Sequence, residues 1–187
     1  MTKTVEIGAH FGRPLRIVVW AGLLALLCLP AVAMLFTNEV AWTATDFVVM
    51  GAILAAAGGA YELGLRLSPH PSYRLGAVVS IIGAFLTVWI NLAVGMIGSE
   101  NDPANCLFIG VLAVGAIGAV LVRFTARGMA RAMLATAATQ SAIAGYCALA
   151  RPDAPVGLVA AFAIPWLLAA WLFQRAPNVR PRPEEAL

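Results

Sequence analysis

The stretch WINLAVGMIGSENDPAN, residues 89–105, decides how this chain is read. It opens as the end of an apolar helix carrying one amide, Asn91, and emerges at Gly98. It then turns through Ser99, Glu100, Asn101, Asp102 and Pro103 and restarts an apolar run at Asn105. Nowhere else do an amide inside an apolar run, acidic charge and a short helix-to-helix connection meet. At a rise of about 1.5 Å per residue, Asn91 lies roughly 10 Å below the Gly98 end of its helix. An amide at that depth needs hydrogen-bond partners, from a neighbouring helix or from a ligand.

Composition sets the solvent. Of 187 residues, 61% are hydrophobic and 11% are charged, with a mean hydropathy of +0.88. That number of charges cannot cover so large an apolar core in water, so the chain reads as all-α, a polytopic transmembrane helical bundle. The net charge of +3 carries no implication of nucleic acid, because its distribution along the chain matters more than its sum. Cys28, Cys106 and Cys147 have no CxxC spacing; Cys106 and Cys147 fall near the predicted outer face, where an oxidising compartment would allow a bridge, and two buried thiols in helix ends are the simpler expectation. His10 and His70 lie outside the apolar runs, which excludes an intramembrane haem held by paired histidines.

Six runs are long enough to span a bilayer: residues 15–36, 47–67, 75–98, 106–122, 130–150 and 156–173. Residues 1–14 form a short tail ending at Pro14, which suits a first helical turn. Residues 174–187, with Pro177, Pro181 and Pro183, read as a disordered tail. Ala31, Val32 and Ala33 resemble a signal-peptide cleavage site, but the apolar residues Met34, Leu35 and Phe36 continue the run to full spanning length. Thr45 or Asp46 is placed to cap the second helix. Pro165 interrupts the sixth run and frees the carbonyl of Ala161, so a kink is expected there.

Placing both termini in the cytoplasm puts eleven of the 12 Lys and Arg residues on that side and leaves only Arg151 on the other. Small residues recur at intervals of four, as Gly51, Ala55 and Gly59 on the second run and Gly76, Ser80 and Ala84 on the third. Such faces allow close helix approach. The fourth run is dense in Gly and Ala, which predicts a position inside the bundle. No motif recurs in register between the two halves of the chain, which weighs against a transporter built from inverted repeats.

The candidate polar site within the spans consists of Glu62, Asn91 and Gln140. Glu62 precedes Arg66 by four residues, a spacing that allows the two to pair on one helix face. Gln140 sits amid Thr136, Thr139 and Ser141, in the most polar of the runs. A second candidate is the turn with Glu100, Asp102 and Asn105, oxygen-bearing groups of the kind that hold hard cations, though without EF-hand spacing. Capping of helix ends is the simpler use of Ser99, Asp102 and Asn105. No nucleophile with a base, no phosphate loop and no metal-ligand pattern is present in the sequence, so neither an enzyme nor a cofactor is expected.

The run WINLAVGMIGSENDPAN, together with TARGMARA after the next helix, resembles an uncharacterised family of small bacterial multi-pass inner-membrane proteins. The resemblance covers the third and fourth spans and their junctions, and implies the bacterial inner membrane and no activity. Two functions stand as expectations. The first is a non-enzymatic bundle associating with itself or a membrane partner through its small-residue faces. The second is a small transporter or channel for an ion or small solute, built around Glu62, Asn91, Gln140 and the Pro165 kink.

Overall fold

The computed structural model describes residues 3–177, with side chains from Pro14 onward. The last part of the expected C-terminal tail, residues 178–187, lies outside the described residues. Among the described residues the order is α1 (Lys3–Ala33), α2 (Ala44–Leu67), α3 (Pro71–Ala93), a 3-10 turn (Pro103–Cys106), α4 (Leu107–Leu121), α5 (Ala126–Ala150), α6 (Val156–Ala161) and α7 (Ala163–Arg175), with no strand. Six helical segments are long and apolar enough to cross a membrane: Pro14–Ala33, Ala44–Leu67, Pro71–Ala93, Pro103–Leu121, Ala126–Ala150 and Val156–Arg175. That count supports a multi-pass membrane protein. In hydrocarbon only a helix or a closed barrel satisfies its own backbone groups.

Several boundaries move from their sequence positions, each for a local reason. The first helix begins at Lys3, ahead of Pro14, which lies within it. Ahead of α2 the capping pair is Thr43 and Asp46. The Asp46 carboxylate accepts from the Thr43 N–H at 2.7 Å and from its hydroxyl at 2.8 Å, while the Asp46 N–H donates to Thr43 Oγ1 at 3.4 Å. This reciprocal arrangement is a capping box, which needs its two residues three apart. The third helix stops at Ala93, five residues before Gly98, because Gly95 adopts a left-handed φ of +73°. Gln174 and Arg175, expected in the tail, belong to α7.

The chain divides into two compact units at Ala60 and Tyr61, inside α2. In the first unit α1 and α2 pack through Gly58 and Gly51. A β-carbon added to Gly58 would lie 2.7 Å from the tip of the Trp20 ring, and one on Gly51 would lie 3.7 Å from Leu27. Met50 and Leu54 are buried beside them. The expected face of Gly51, Ala55 and Gly59 is therefore only partly used: Ala55 and Gly59 are exposed, and Gly59 has open space around it. Helical periodicity explains the shift, since residues 51, 54 and 58 share a face more closely than a strict interval of four allows.

In the second unit α5 packs against α4, α6 and α7, and α3 packs against α7. The Gly/Ala-rich α4 does not occupy the interior as expected. It leaves Ile109, Ile117, Val120 and Leu121 exposed, and its Gly110 has nothing near it. The central helix is α5, whose Ala126, Ala130, Ala132, Ala137 and Ala144 are buried with Thr136 and Gln140. The physical reason is polarity: Thr136 and Gln140 favour protein over hydrocarbon, whereas the large aliphatic residues of α4 favour lipid. Of the α4 glycines only Gly115 and Gly118 make close contact, and a β-carbon on Gly118 would lie 3.0 Å from that of Ala132.

The α3–α7 seam uses Gly76 and Gly83. Gly76 lies under the ring of Phe173, and Gly83 lies against Pro165 and Trp166. Tyr73 and Phe173 meet edge to face, with centroids 5.0 Å apart. The Tyr73 hydroxyl also donates to the carbonyl of Phe124 at 2.7 Å, tying the start of α3 to the α4–α5 connection. The sixth run breaks at Phe162, between α6 and α7. Pro165 has no N–H for the carbonyl four residues back, so the regular ladder cannot pass through this point.

Candidate functional site

The connection from α3 to α4 is built around the side chain of Asn105. Its Oδ1 accepts from the backbone N–H groups of Met96 at 3.0 Å and Ile97 at 2.9 Å. Its Nδ2 donates to the carbonyls of Ile97 at 3.1 Å and Ser99 at 2.7 Å. All four hydrogen-bonding positions of the amide are filled by backbone. Met96 and Ile97 are buried at 1% and 0% exposure, so water could not replace these bonds. Gly95 and Gly98, at φ +73° and +64°, give the backbone the curvature that wraps it around this amide.

Asp102 closes the same connection. Its Oδ1 accepts from the Ala104 N–H at 2.8 Å, capping the 3-10 turn, and its carboxylate is held by Arg151 through an ion pair of 2.5 Å. Arg151 also pairs with Asp153 at 2.8 Å. The hydrogen bond from Arg151, followed by that from the Ala104 N–H, holds the Asp102 carboxyl below the usual range. Arg151 lowers that of Asp153 in the same way. The Arg151 guanidinium is in turn pushed up, first by Asp153 and then by Asp102. Glu100 is exposed on the turn, with one oxygen accepting from Asn101 Nδ2 at 3.1 Å.

Between the end of α3, this connection and α4 lies a cavity of about 310 Å³. Its polar lining includes Thr87, Asn91, Glu100, Asn101, Asp102 and Asn105. Its apolar walls are formed by Val88, Leu92, Phe108, Ile109 and Leu112. The structure thus gathers Asn91 with Glu100, Asp102 and Asn105, which the sequence separates into two candidate sites. The Thr87 hydroxyl donates to the Gly83 carbonyl at 2.8 Å, and Asn91 Nδ2 donates to the Thr87 carbonyl at 2.7 Å. Asn91 therefore bonds within its own helix, and its Oδ1 is buried with no partner in the protein. Turning the amide over would set two carbonyl-type oxygens against each other, so the orientation follows from the Thr87 contact.

Gln140 and Glu62 lie elsewhere and do not line the cavity. Gln140 is fully buried on α5, and its Nε2 donates across to the carbonyl of Val159 on α6 at 2.8 Å, while its Oε1 has no partner. Glu62 is half-buried on α2. On the other side of the 3-10 turn a wider, open groove of about 840 Å³ runs past Thr139, Ile143, Tyr146 and Arg151. Two of its polar groups are already engaged: Thr139 donates to the Ala135 carbonyl, and Arg151 is held by two carboxylates. Of the two, the smaller is lined by Asn91, whose Oδ1 has no partner in the protein.

The sequence reading overlooked Arg151 as a structural clasp and Thr87, Phe108 and Leu112 as lining. A signal for the first was available, since Arg151 is the lone cation assigned to the side that holds Asp102 and Asp153. No local signal marks the other three, which are ordinary apolar-run residues until two helices are brought together. Comparison with protein-family models, with curated proteins and with solved structures returns no match.

Proposed function

We propose that this is a small-solute-binding protein of the bacterial inner membrane, with both termini cytoplasmic, of the kind that serves transport. The observation that carries this reading is the gathering of Asn91, Glu100, Asn101 and Asp102 around one cavity of about 310 Å³ with apolar walls. The volume falls at the lower end of the range for small-molecule pockets, about 300–1,000 Å³. The charge distribution along the chain supports an orientation in which this cavity faces away from the cytoplasm.

Association through small-residue faces has less support. Gly76 and Gly83 are occupied by α7, and Gly51 and Gly58 face Leu27 and Trp20. What remains is the exposed stripe of Ala52, Ala55 and Gly59 on α2, which favours a second helix at that face as the alternative reading. Native mass spectrometry of the protein extracted with its own lipids separates the two. A discrete small-molecule adduct that disappears in Asn91→Leu is the expected result. A ligand-free dimer or heteromer that dissociates in Gly59→Leu would overturn the solute reading in favour of association.

A further inference from the structure

The junction of α4 and α5 carries charge that no described part of the protein neutralises. Arg123, Arg127 and Arg131 are all exposed there. Among the described residues none of the three makes an ion pair or a side-chain hydrogen bond. Other arginines are engaged: Arg74 donates to the Ser68 and Leu65 carbonyls, Arg151 is held by two carboxylates, and Arg175 lies over the Trp171 ring. From Pro103 to Pro152 the sequence contains no Asp or Glu, so no neighbour along the chain offers a countercharge. We infer that this junction binds an anionic phospholipid, with the three guanidinium groups around its phosphate and an acyl chain along the exposed face of α5.

Local structure holds these groups together. The connection runs through two left-handed residues, Arg123 at φ +50° and Phe124 at φ +54°, a conformation uncommon for residues with a side chain. The Tyr73 hydroxyl holds the Phe124 carbonyl at 2.7 Å, so Arg123 stands on backbone tied to α3. Arg127 and Arg131, four residues apart, share one face of α5 about 6 Å apart along its axis. The positive end of α5 adds to their field, because the Thr125 hydroxyl donates to the Val122 carbonyl at 3.0 Å instead of capping the helix. Beyond Arg131 the same face continues as Leu134, Ala135 and Ala138, all exposed and apolar. A basic end joined to an apolar stripe complements an amphiphile. Free phosphate would engage the arginines and leave the stripe unused. An acidic protein segment would need the arginines clear of the bilayer, whereas Arg131 lies one turn from residues suited to hydrocarbon. Guanidinium matches phosphate oxygens in bidentate fashion, and each arginine near the surface strengthens attraction to an anionic headgroup about fivefold. A zwitterionic lipid sets an ammonium beside its phosphate, which the three cations repel.

The test is native mass spectrometry of the delipidated full-length protein in detergent. It is offered equimolar dioleoylphosphatidylglycerol and dioleoylphosphatidylcholine, and separately glycerol phosphate, which has the head without the chains. Phosphatidylglycerol adducts should exceed phosphatidylcholine adducts about tenfold or more, with the preference shrinking at high salt, and glycerol phosphate should give no adduct at the same concentration. Arg127→Gln should lower the preference about fivefold, and Arg123→Gln, Arg127→Gln and Arg131→Gln together should abolish it. All three side chains are exposed, so thermal unfolding of these variants should match the wild type. Arg66→Gln, at an exposed arginine on α2, should change the preference less than about twofold. Equal binding of the two lipids, or a preference that survives the triple substitution, would overturn the inference. So would a loss in Arg66→Gln equal to that in Arg127→Gln, which would assign the preference to diffuse charge. Glycerol phosphate binding as strongly as phosphatidylglycerol would overturn the lipid assignment in favour of a free phosphate.

Discussion

At the scale of single residues, Asn105 determines whether the α3–α4 connection exists. Replacing it by Leu leaves the N–H groups of Met96 and Ile97 buried and unpaired. At about 1–3 kcal/mol for each orphaned donor, Asn105→Leu should cost about 2–6 kcal/mol. Thermal unfolding in detergent checks this against Asn101→Leu, an exposed change on the same turn expected to stay within about 0.5 kcal/mol. A matching loss in both variants would show that the amide is not the organising group. Gly95→Ala should also fail to form the turn. At φ +73° a β-carbon would sit 2.5 Å from the Ser99 carbonyl oxygen, a backbone atom that cannot move aside as a side chain can. Asn105 was legible as a polar residue at a helix start, but its role was not, because its partners are backbone groups six to nine residues upstream.

At the scale of elements, two glycines on α4 give opposite predictions from the same composition. Gly118 faces Ala132 of α5, with a prospective β-carbon at 3.0 Å, while Gly110 has open space. Gly118→Leu should therefore overpack the α4–α5 seam and cost about 1–3 kcal/mol. Gly110→Leu should be neutral or slightly stabilising, since the residue gains helix propensity with nothing to displace. Comparing the two midpoints of thermal unfolding decides the point, and equal effects would contradict the assigned packing face. Gln140→Met gives a further contrast. It removes the bond to the Val159 carbonyl but also removes an unpartnered oxygen, so the net change should be about 0.6 kcal/mol or less, the average for such bonds between membrane helices. A loss of several kcal/mol would show that the α5–α6 contact depends on the amide.

At the scale of the whole second unit, Arg151 joins the α5–α6 connection to the α3–α4 connection through Asp102. Folding lowers the pKa of both Asp102 and Asp153, so their contribution is complete above the unfolded carboxylate value, near about pH 4. It is lost as pH falls through their lower folded values. The wild type should thus lose thermal stability on acidification below about pH 4, whereas Arg151→Gln should start lower and change less over that window. Parallel curves for the two proteins would remove the clasp as the cause. The proposed orientation has its own check: reporters fused after Leu187 and inserted at Asn101 should report opposite sides of the membrane. The same side for both would refute the six-span topology.

Composition and run length determined that this chain carries six helices long and apolar enough to cross a membrane, because hydrophobicity summed over about 20 residues is a property of the sequence itself. They also located a helix start near Asp46, the turn at Asp102 and a break near Pro165, where capping groups and a missing N–H act on close neighbours in the chain, although the Thr43 partner of Asp46 was not among the caps expected. Which helix lies innermost in the second unit was decided only by tertiary structure. Gly/Ala content pointed to α4, but burial of Thr136 and Gln140 places α5 there. The grouping of Asn91 with Glu100 and Asp102 around one cavity was likewise decided by packing. A cavity depends on the distance and rotation between two helices, and these are set by contacts such as Gly83 on Pro165 and Asp102 on Arg151, made between residues far apart in the chain.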